Sequence, residues 1–293
     1  MKIGFLYSRV RVEERLLLDE LERRGIAHEL IDVRSLVFDI HSGATLPGGT
    51  HLDEFDAFFE RCISQTQALT AARLLESRGL RCVNSSEVID VCGDKLRTSL
   101  ALVRAGVPTP RVKVALEPES ALEAIEQNGY PAVLKPTTGS WGRLLARVND
   151  RDAAEAVVEH KGTLGSVQHS VYYVQEHVDK PGRDLRVFMV GDEAICGIAR
   201  SSAHWITNTA RGGRAAKYDV PPEVAEMCAR ASQAVGGGIL AIDLLETADG
   251  RVLVSEVNHT MEFRNSIEPT GVNIPGRMID YVLQVARLSE AVR

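Results

Sequence analysis

The segment "EVNHTMEFRN", residues 256–265, sets Glu256, Asn258, Glu262 and Arg264 among Val257, Met261 and Phe263. Charge this dense at the end of an apolar strand is either a salt-bridged surface or the floor of a site that takes metal and substrate. The preceding stretch "ILAIDLLETADGRVLVSEVN" reads as a hairpin turning at Asp249-Gly250. With those two residues as the turn, Asp243 falls opposite Glu256. Directly opposed side chains have Cβ atoms about 4.5–5.5 Å apart. Two carboxylates that close repel unless one is protonated or a cation lies between them. Asn258, two residues beyond Glu256, shares its face. Asp243, Glu256 and Asn258 form an all-oxygen, hard-ligand set, which suits Mg²⁺ completed by phosphate oxygens and water. The competing reading pairs Asp243 with a nearby Lys or Arg. Its apolar neighbours Ile242, Leu244, Val254 and Val257 argue against an open surface.

A magnesium site implies phosphates, which need cations and N–H donors. Lys95 opens a helix in "VCGDK", and Lys135 ends an apolar strand in "VLKP" that runs into "PTTGSWGR". Gly139 and Gly142 free that loop's backbone to approach a phosphate chain, and exposed N–H groups can cradle it. The spacing is not GxxxxGK[ST], so this is no Walker A loop. A lone lysine is ordinarily a solvated charge; that reading applies to Lys95 taken alone, less to Lys135 with its glycine loop. "VYYVQEHV" reads as an extended edge segment whose free backbone groups could meet an adenine, with Gln175 or Glu176 near the exocyclic amine or ribose. An ordinary edge strand fits that segment equally well.

The elements that must position these residues fall into three stretches. Residues 1–90 alternate strand and helix, as in "KIGFLYS", "VEERLLLDELERRG" and "AHELIDV", and predict an open α/β sheet. They lack GxGxxG, so a dinucleotide site has little support. Residues 91–180 mix helices with two strands joined by the glycine loop. Residues 181–293 hold two hairpins, the first turning at Gly191-Asp192, with a polar loop over 203–217 and a final helix from near Pro275. The expected fold is therefore α+β / α/β in three lobes.

Composition narrows the function classes. A formal charge of −6 argues against general nucleic-acid binding. No apolar run approaches the roughly 20 residues of a membrane span, and the start is charged too soon for a signal peptide. A cytoplasmic protein is the expectation. The five cysteines are scattered without a CxxC pair, which disfavours zinc or disulfide frameworks. No Ser-His-Asp or Cys-His arrangement offers a side-chain nucleophile. His204 and His259 lack metal-ligand spacing and read as packing or hydrogen-bonding residues.

Taken together, these motifs resemble the ATP-grasp superfamily over nearly the whole chain. Within it "VCGDK", "KPTTGSWGRLLA", "SAHWITNTARGG" and "EVNHTMEFRNS" are most similar to the RimK-like branch and its LysX family, α-aminoadipate ligases of the amino-group carrier route to lysine. The resemblance implies an N-terminal pre-ATP-grasp domain, a central lid and a C-terminal antiparallel-sheet domain, with ATP and Mg²⁺ bound between. Asp243, Glu256 and Asn258 match the magnesium triad, and Lys95 and Lys135 the nucleotide lysines. Gly139, Ser140, Trp141, Gly142 and Arg143 match the loop over the phosphates. Gln175, Glu176, Val178, Asp184 and Arg186 fall in the hinge and ribose region.

Such ligases phosphorylate a carboxylate and let an amine attack the acyl phosphate. Here the resemblance implies the γ-carboxyl of a glutamate ending a small acidic carrier protein, and the α-amino group of α-aminoadipate. Arg200 and Arg211 are then candidates for phosphate and acyl-phosphate contacts, with Asn208 near the metal–phosphate cluster. Arg214 and Lys217 could attract the acidic carrier; a basic surface loop is the plainer reading. Thr260, Glu262, Arg264, Asn265 and Ser266 would form the amino-acid pocket. In LysX-like chains an Asn and a small residue follow "EF[KR]", whereas glutamate-using relatives have a pair resembling Gly-Phe. Asn265 could bond a distal carboxylate, and Ser266 leaves room for one more methylene. One methylene is worth only about 1–3 kcal/mol, and Ser in place of Thr or Ala departs from the pattern. Glutamate or a related amino acid on a carrier, in an arginine or secondary-metabolite route, is therefore the alternative. A RimK-like glutamate ligase and a non-catalytic nucleotide-binding regulatory module are the rivals. Related enzymes suggest a homo-oligomer, and neither nucleic acid nor membrane is an expected partner.

Overall fold

The computed structural model describes residues 1–41, 50–139, 143–165, 170–202, 204–205, 207 and 214–290, with side chains through Leu288. Ser140, Trp141, Gly142, Asn208 and Arg211 lie outside the described residues.

Strands β1 (Lys2–Tyr7), β2 (Ala27–Asp32), β3 (Ala57–Arg61) and β4 (Cys82–Val83) form a parallel sheet in the order β2-β1-β3-β4. Helices α1 (Val12–Arg23) and α2 (Gln65–Glu76) make crossovers. This is the open α/β unit the alternation predicts. Helices α3 (Ser86–Cys92) and α4 (Lys95–Arg104) lead out of it. Asp94 caps α4 by accepting from the N–H groups of Leu96 and Arg97, which fixes Lys95 at its first turn.

The second sheet is antiparallel, with β5 (Val112–Ala115), β6 (Ala132–Lys135), β7 (Ala146–Val148) and β8 (Tyr172–Glu176) ordered β5-β8-β6-β7. Helices α5 (Pro118–Asn128) and α6 (Arg151–Leu164) cover one face, with Ile125 and Val158 packed on Leu134, Tyr172 and Val174. The edge reading of "VYYVQEHV" fails, because β5 pairs with β8 on the side away from β6. The short apolar stretch "VKVA" gave no signal for β5 in the sequence.

The third sheet is antiparallel in the order β11-β10-β9-β12-β13, from β9 (Arg183–Val190), β10 (Glu193–Ser201), β11 (Arg214–Tyr218), β12 (Ile239–Glu246) and β13 (Val252–Asn258). Its strands are apolar at successive positions because both faces are covered. Val187, Met189, Leu240 and Ile242 meet α7 (Pro222–Ala234) through Met227, Cys228 and Ala231. Phe188, Val190, Ile239 and Ala241 face α9 (Ile274–Glu290), which also packs on Ile3, Phe5 and Leu17 of the first unit. Ile274, Met278, Ile279, Val282 and Ala286 make one stripe of α9, all fully buried. Each larger side chain there contributes about 1.5–3 kcal/mol, so α9 joins the first and third sheets through a single core. The end of the expected polar loop over 203–217 belongs in fact to the edge strand β11, Arg214–Tyr218. No helix among the described residues is long and apolar enough to cross a membrane.

Candidate functional site

The key hairpin reaches the expected pairing by an unexpected route. Asp243 does stand opposite Glu256, but the connection is longer than two residues: Thr247 N–H donates to the Arg251 carbonyl at 2.8 Å. That turn shifts the register by one, and a bulge between Asp243 and Leu244 shifts it back. The bulge sits beside the site, where such irregularities re-aim side chains.

Both readings of Asp243 are realised at once. Its carboxylate receives a bidentate pair from Arg186, Nε–Oδ1 2.7 Å and Nη2–Oδ2 2.8 Å, and a further contact from Arg200 Nη2 at 3.0 Å. Arg186 comes from the adjacent position on β9, Arg200 from β10 beyond it. Burial alone would raise Asp243, yet the two guanidiniums hold it down at about 2. Arg186 is in turn raised: burial opposes its charge, and Asp243 more than compensates. Asp243 is thus a carboxylate at any physiological pH.

The other proposed ligands converge on it. Asn258 Nδ2 lies 3.4 Å from Asp243 Oδ2 and 3.5 Å from the Ala241 carbonyl oxygen. A half-turn of that amide would present its oxygen instead. Glu256 Oε1 is 3.3 Å from Lys95 Nζ, which also donates to the Gly139 carbonyl at 2.8 Å. The Lys95 N–H donates to the Thr137 carbonyl at 2.8 Å, so the start of α4 braces the glycine loop from beneath. Gly139 has φ of 134°, a conformation that requires glycine. Lys135 Nζ donates to Gln175 Oε1 at 2.7 Å. Burial brings Lys135 down to about 8, with Glu256 opposing the fall.

Apart from Lys95, these side chains line one cavity of about 630 Å³, to which all three sheets contribute. Lys135, Gly139, Arg143, Gln175 and Val178 come from the second sheet and its loops, and Asp184, Arg186, Arg200, Asp243, Glu256 and Asn258 from the third. Asp184 is held by Arg200, Nε–Oδ1 2.7 Å, by Thr207, and by Lys180 at 3.6 Å. The structure does not bring Glu176 to the cavity. Its carboxylate accepts from the N–H and Nε of Arg111, at 2.9 and 2.8 Å, because strand alternation points it opposite to Gln175. Lys95 does not line the cavity either; it acts on it through Glu256 and Gly139.

The predicted amino-acid residues divide between two spaces. Thr260 and Glu262 line the large cavity. Arg264, Asn265 and Ser266, on the short helix α8 (Arg264–Thr270), line a second one of about 60 Å³. Arg186, Arg200 and Glu262 border both spaces, so the two adjoin. Ser266 is buried. Arg214 and Lys217 lie on β11 outside both cavities, with Lys217 paired to Asp219 at 2.6 Å.

Sequence reasoning missed what the first sheet adds. Glu14, fully buried, accepts from Arg11 (2.9 Å) and from the equally buried Arg61 (3.0 Å), whose Nη2 also donates to the Met261 carbonyl at 3.1 Å. Arg11 reaches Glu262 at 3.2 Å. His259 lies 3.7 Å from Glu60 and 2.9 Å from the Thr260 hydroxyl, a hydrogen-bonding role as expected. Asn84 donates to the carbonyls of Ile239 and His259, both at 2.8 Å. These contacts clamp the 259–264 loop to the N-terminal unit. Glutamates in the first turn of a helix look like ordinary helix charges, so no sequence signal marked them.

A parallel N-terminal sheet and two antiparallel sheets around an arginine-braced Asp-Glu-Asn cluster define an ATP-grasp ligase, an enzyme that joins a carboxylate to an amine. Residues 92–282 match the model of the RimK-like ATP-grasp domain and residues 3–91 that of the LysX preATP-grasp domain; the chain belongs to this family. It is 32% identical over 284 residues to the glutamate–LysW ligase ArgX of Sulfurisphaera tokodaii, covering 96% of this chain and 98% of that one. It is 33% identical over 266 residues to the α-aminoadipate–LysW ligase LysX of Saccharolobus solfataricus, covering 90% and 94%. Among solved structures, a RimK domain ATP-grasp protein from Sphaerobacter thermophilus superposes with a TM-score of 0.78 at 28% identity, covering 97% and 100%.

Proposed function

We propose that this enzyme joins the α-amino group of α-aminoadipate to the γ-carboxyl of the C-terminal glutamate of a small acidic LysW-type carrier protein, with ATP, through an acyl phosphate. Glutamate is the alternative acceptor, and ArgX and LysX relatives at 32% and 33% identity support the two about equally. The observation that carries the reading is the adjacency of two spaces. The charged cavity holds Lys135, Asp243, Glu256 and Asn258, and the small one behind Arg186 and Arg200 holds Asn265 and Ser266.

In this reading residues 1–90, 91–180 and 181–293 are the pre-ATP-grasp, lid and base units. Gln175 and Val178 flank the adenine, Asp184 and Arg186 the region of the ribose and phosphates, and Lys135 with the 139–143 loop the phosphate chain. Asp243, Glu256 and Asn258 would hold Mg²⁺. Their oxygen donors fit a hard cation: Asp243 Oδ2 accepts from Arg186, and a half-turn of the Asn258 amide, whose Nδ2 lies 3.4 Å away, would turn a second oxygen toward the same space. When bound, the metal supplies positive charge that offsets the terminal phosphates. Arg200, fixed by Asp184 and Asp243, would meet the acyl phosphate. Preorganised cations of this kind favour developing charge without rearranging during reaction. Arg211, Asn208 and the Ser140–Gly142 segment complete the proposal from their match to the family motifs. Glu176 enters only through its backbone, since its side chain is committed to Arg111. Arg214 and Lys217 would serve the acidic carrier from the exposed edge of the base sheet.

The test is the intact mass of a LysW-type carrier after incubation with the enzyme, Mg-ATP and one amino acid. A gain of one α-aminoadipate residue, absent with Asp243→Ala, is expected. A gain with glutamate alone would transfer the assignment to the alternative, and no gain with either would reject the carrier reading.

A further inference from the structure

Among the described residues one carboxylate is buried but poorly satisfied. Glu13, in the first turn of α1, is 2% exposed. Among the described residues its only ion pair is with Arg264, Nε–Oε1 3.8 Å, which is too long for a hydrogen bond. Its neighbour Glu14 is the contrast, with Arg11 and Arg61 both in hydrogen-bonding contact. The helix N-terminus favours a negative charge at Glu13, yet no described donor reaches either of its oxygens. Buried polar groups in folded proteins are nearly always hydrogen-bonded, so an exception calls for a partner.

The surroundings indicate the partner's chemistry. Glu13 lines the cavity of about 60 Å³ together with Arg186, Arg200, Arg264, Asn265 and Ser266. That volume admits several water-sized groups. Arg186 and Arg200 already answer to Asp243 and Asp184, and Arg264 is half exposed. An anion entering this space meets arginines and an amide; a small cation meets Glu13. A zwitterion satisfies both at once.

We propose that Glu13 receives the amino group of the acceptor amino acid, whose ammonium donates hydrogen bonds to the Glu13 carboxylate while Arg264 and Asn265 face the acid's carboxylates. This deepens the ligase reading above and rests on it. The N-terminal unit then supplies a substrate contact, and the Arg11–Glu14–Arg61 clamp holds α1 in register with the 259–264 loop so that Glu13 and Asn265 share one pocket.

Glu13→Gln keeps the shape and removes the charge. A hydrogen bond between charged groups is worth about 1.5–3 kcal/mol, or about 10–150-fold. The KM for the amino acid should rise by about that factor, with the KM for ATP unchanged. Trapping of the activated carrier by hydroxylamine, which needs no amino acid, should proceed at the wild-type rate. Inhibition by the des-amino acids adipate and glutarate should be equal in the two proteins. An unchanged amino-acid KM, or loss of the hydroxylamine reaction in step with it, would overturn the assignment. Calorimetric titration of α-aminoadipate and of glutamate into each protein decides the point even if the wild type modifies no carrier. Binding weakened at least tenfold in Glu13→Gln supports it, and equal affinity rejects it. A wild type inactive on the carrier would count separately, against the ligase reading itself.

Discussion

Asp243 and Arg186 occupy paired positions on β12 and β9 and form a bidentate ion pair at 2.7 and 2.8 Å. The same carboxylate is the first of the three proposed metal ligands. In the proposed function one residue would serve both the integrity of the third sheet and the chemistry above it, and comparison with a second proposed ligand, Asn258, tells the two duties apart.

Asp243→Asn should damage both. It leaves Arg186 and Arg200 buried without their shared counter-charge, and breaking one side of a buried pair costs about 3–5 kcal/mol. Asn258→Ala removes a proposed ligand without stranding a charge, and its cost should stay near 1 kcal/mol. Urea unfolding monitored by circular dichroism, set beside ligase turnover, checks the split: both variants inactive, only Asp243→Asn strongly destabilised. Equal stability of the two would contradict the ion-pair account.

Protonation of Asp243 supplies a second test with a definite sign. Its folded value of about 2 lies below the ordinary 3.8, so its stabilisation is complete above about pH 4 and is lost as pH falls toward 2. The wild type should lose about 2 kcal/mol of stability to this group over that window. The acid limb of stability against pH should therefore be flatter in Asp243→Asn than in the wild type.

Lys135 behaves oppositely. Burial lowers it from 10.5 to about 8, so holding it charged opposes folding below about pH 8, and that cost fades as pH rises through 8 toward 10.5. In the ligand-free enzyme the same loss of charge should weaken nucleotide binding. Titration calorimetry with ADP should show affinity falling between pH 7 and 9, and Lys135→Arg should remove that dependence because arginine stays charged. A wild-type affinity flat across this range would exclude Lys135 as a phosphate cation.

The clamp on the 259–264 loop gives a stability prediction. Glu14→Gln leaves Arg61, 1% exposed, without its anion, and should cost about 3–5 kcal/mol. Hydrogen exchange should quicken around residues 259–264, because Arg61 also holds the Met261 carbonyl. Exchange confined to α1 would show that the clamp does not govern the loop.

The pocket itself is open to redesign. Asn265→Ala should raise the KM for the preferred amino acid about tenfold, the value of one hydrogen bond to a charged group. Ser266 is buried, so Ser266→Phe should overfill the small cavity and cost about 1–3 kcal/mol in stability. Steady-state kinetics with α-aminoadipate and with glutamate separates these effects, and an unchanged preference in both variants would remove α8 from the substrate site.

Much of this was legible because the informative residues carry local punctuation. Hairpin turns, caps and glycines delimit β9–β10 and β12–β13, and the hairpin register of β12 and β13 places Asp243, Glu256 and Asn258 together. The pairing of Asp243 with Glu256 was nevertheless reached through two compensating errors, a turn one residue too short and an unseen bulge. Strand β8 was read as an edge because the paired strand β5 has only four residues and no turn signal. Strand β11, "RAAKY", is polar and exposed and looks like loop. The clamp of Arg11, Glu14 and Arg61 was invisible for a deeper reason. Its partners are separated by 47 and 200 residues, and only tertiary packing turns helix charges into a buried network.

The central claim is that the carboxylate is activated by phosphoryl transfer before the amine attacks. It is tested most directly with a LysW-type carrier whose C-terminal glutamate carries ¹⁸O in its γ-carboxyl. After turnover with Mg-ATP and α-aminoadipate, the account predicts one ¹⁸O in each phosphate released, measured by ³¹P NMR. Phosphate free of ¹⁸O, with the amide formed at the normal rate, would contradict it.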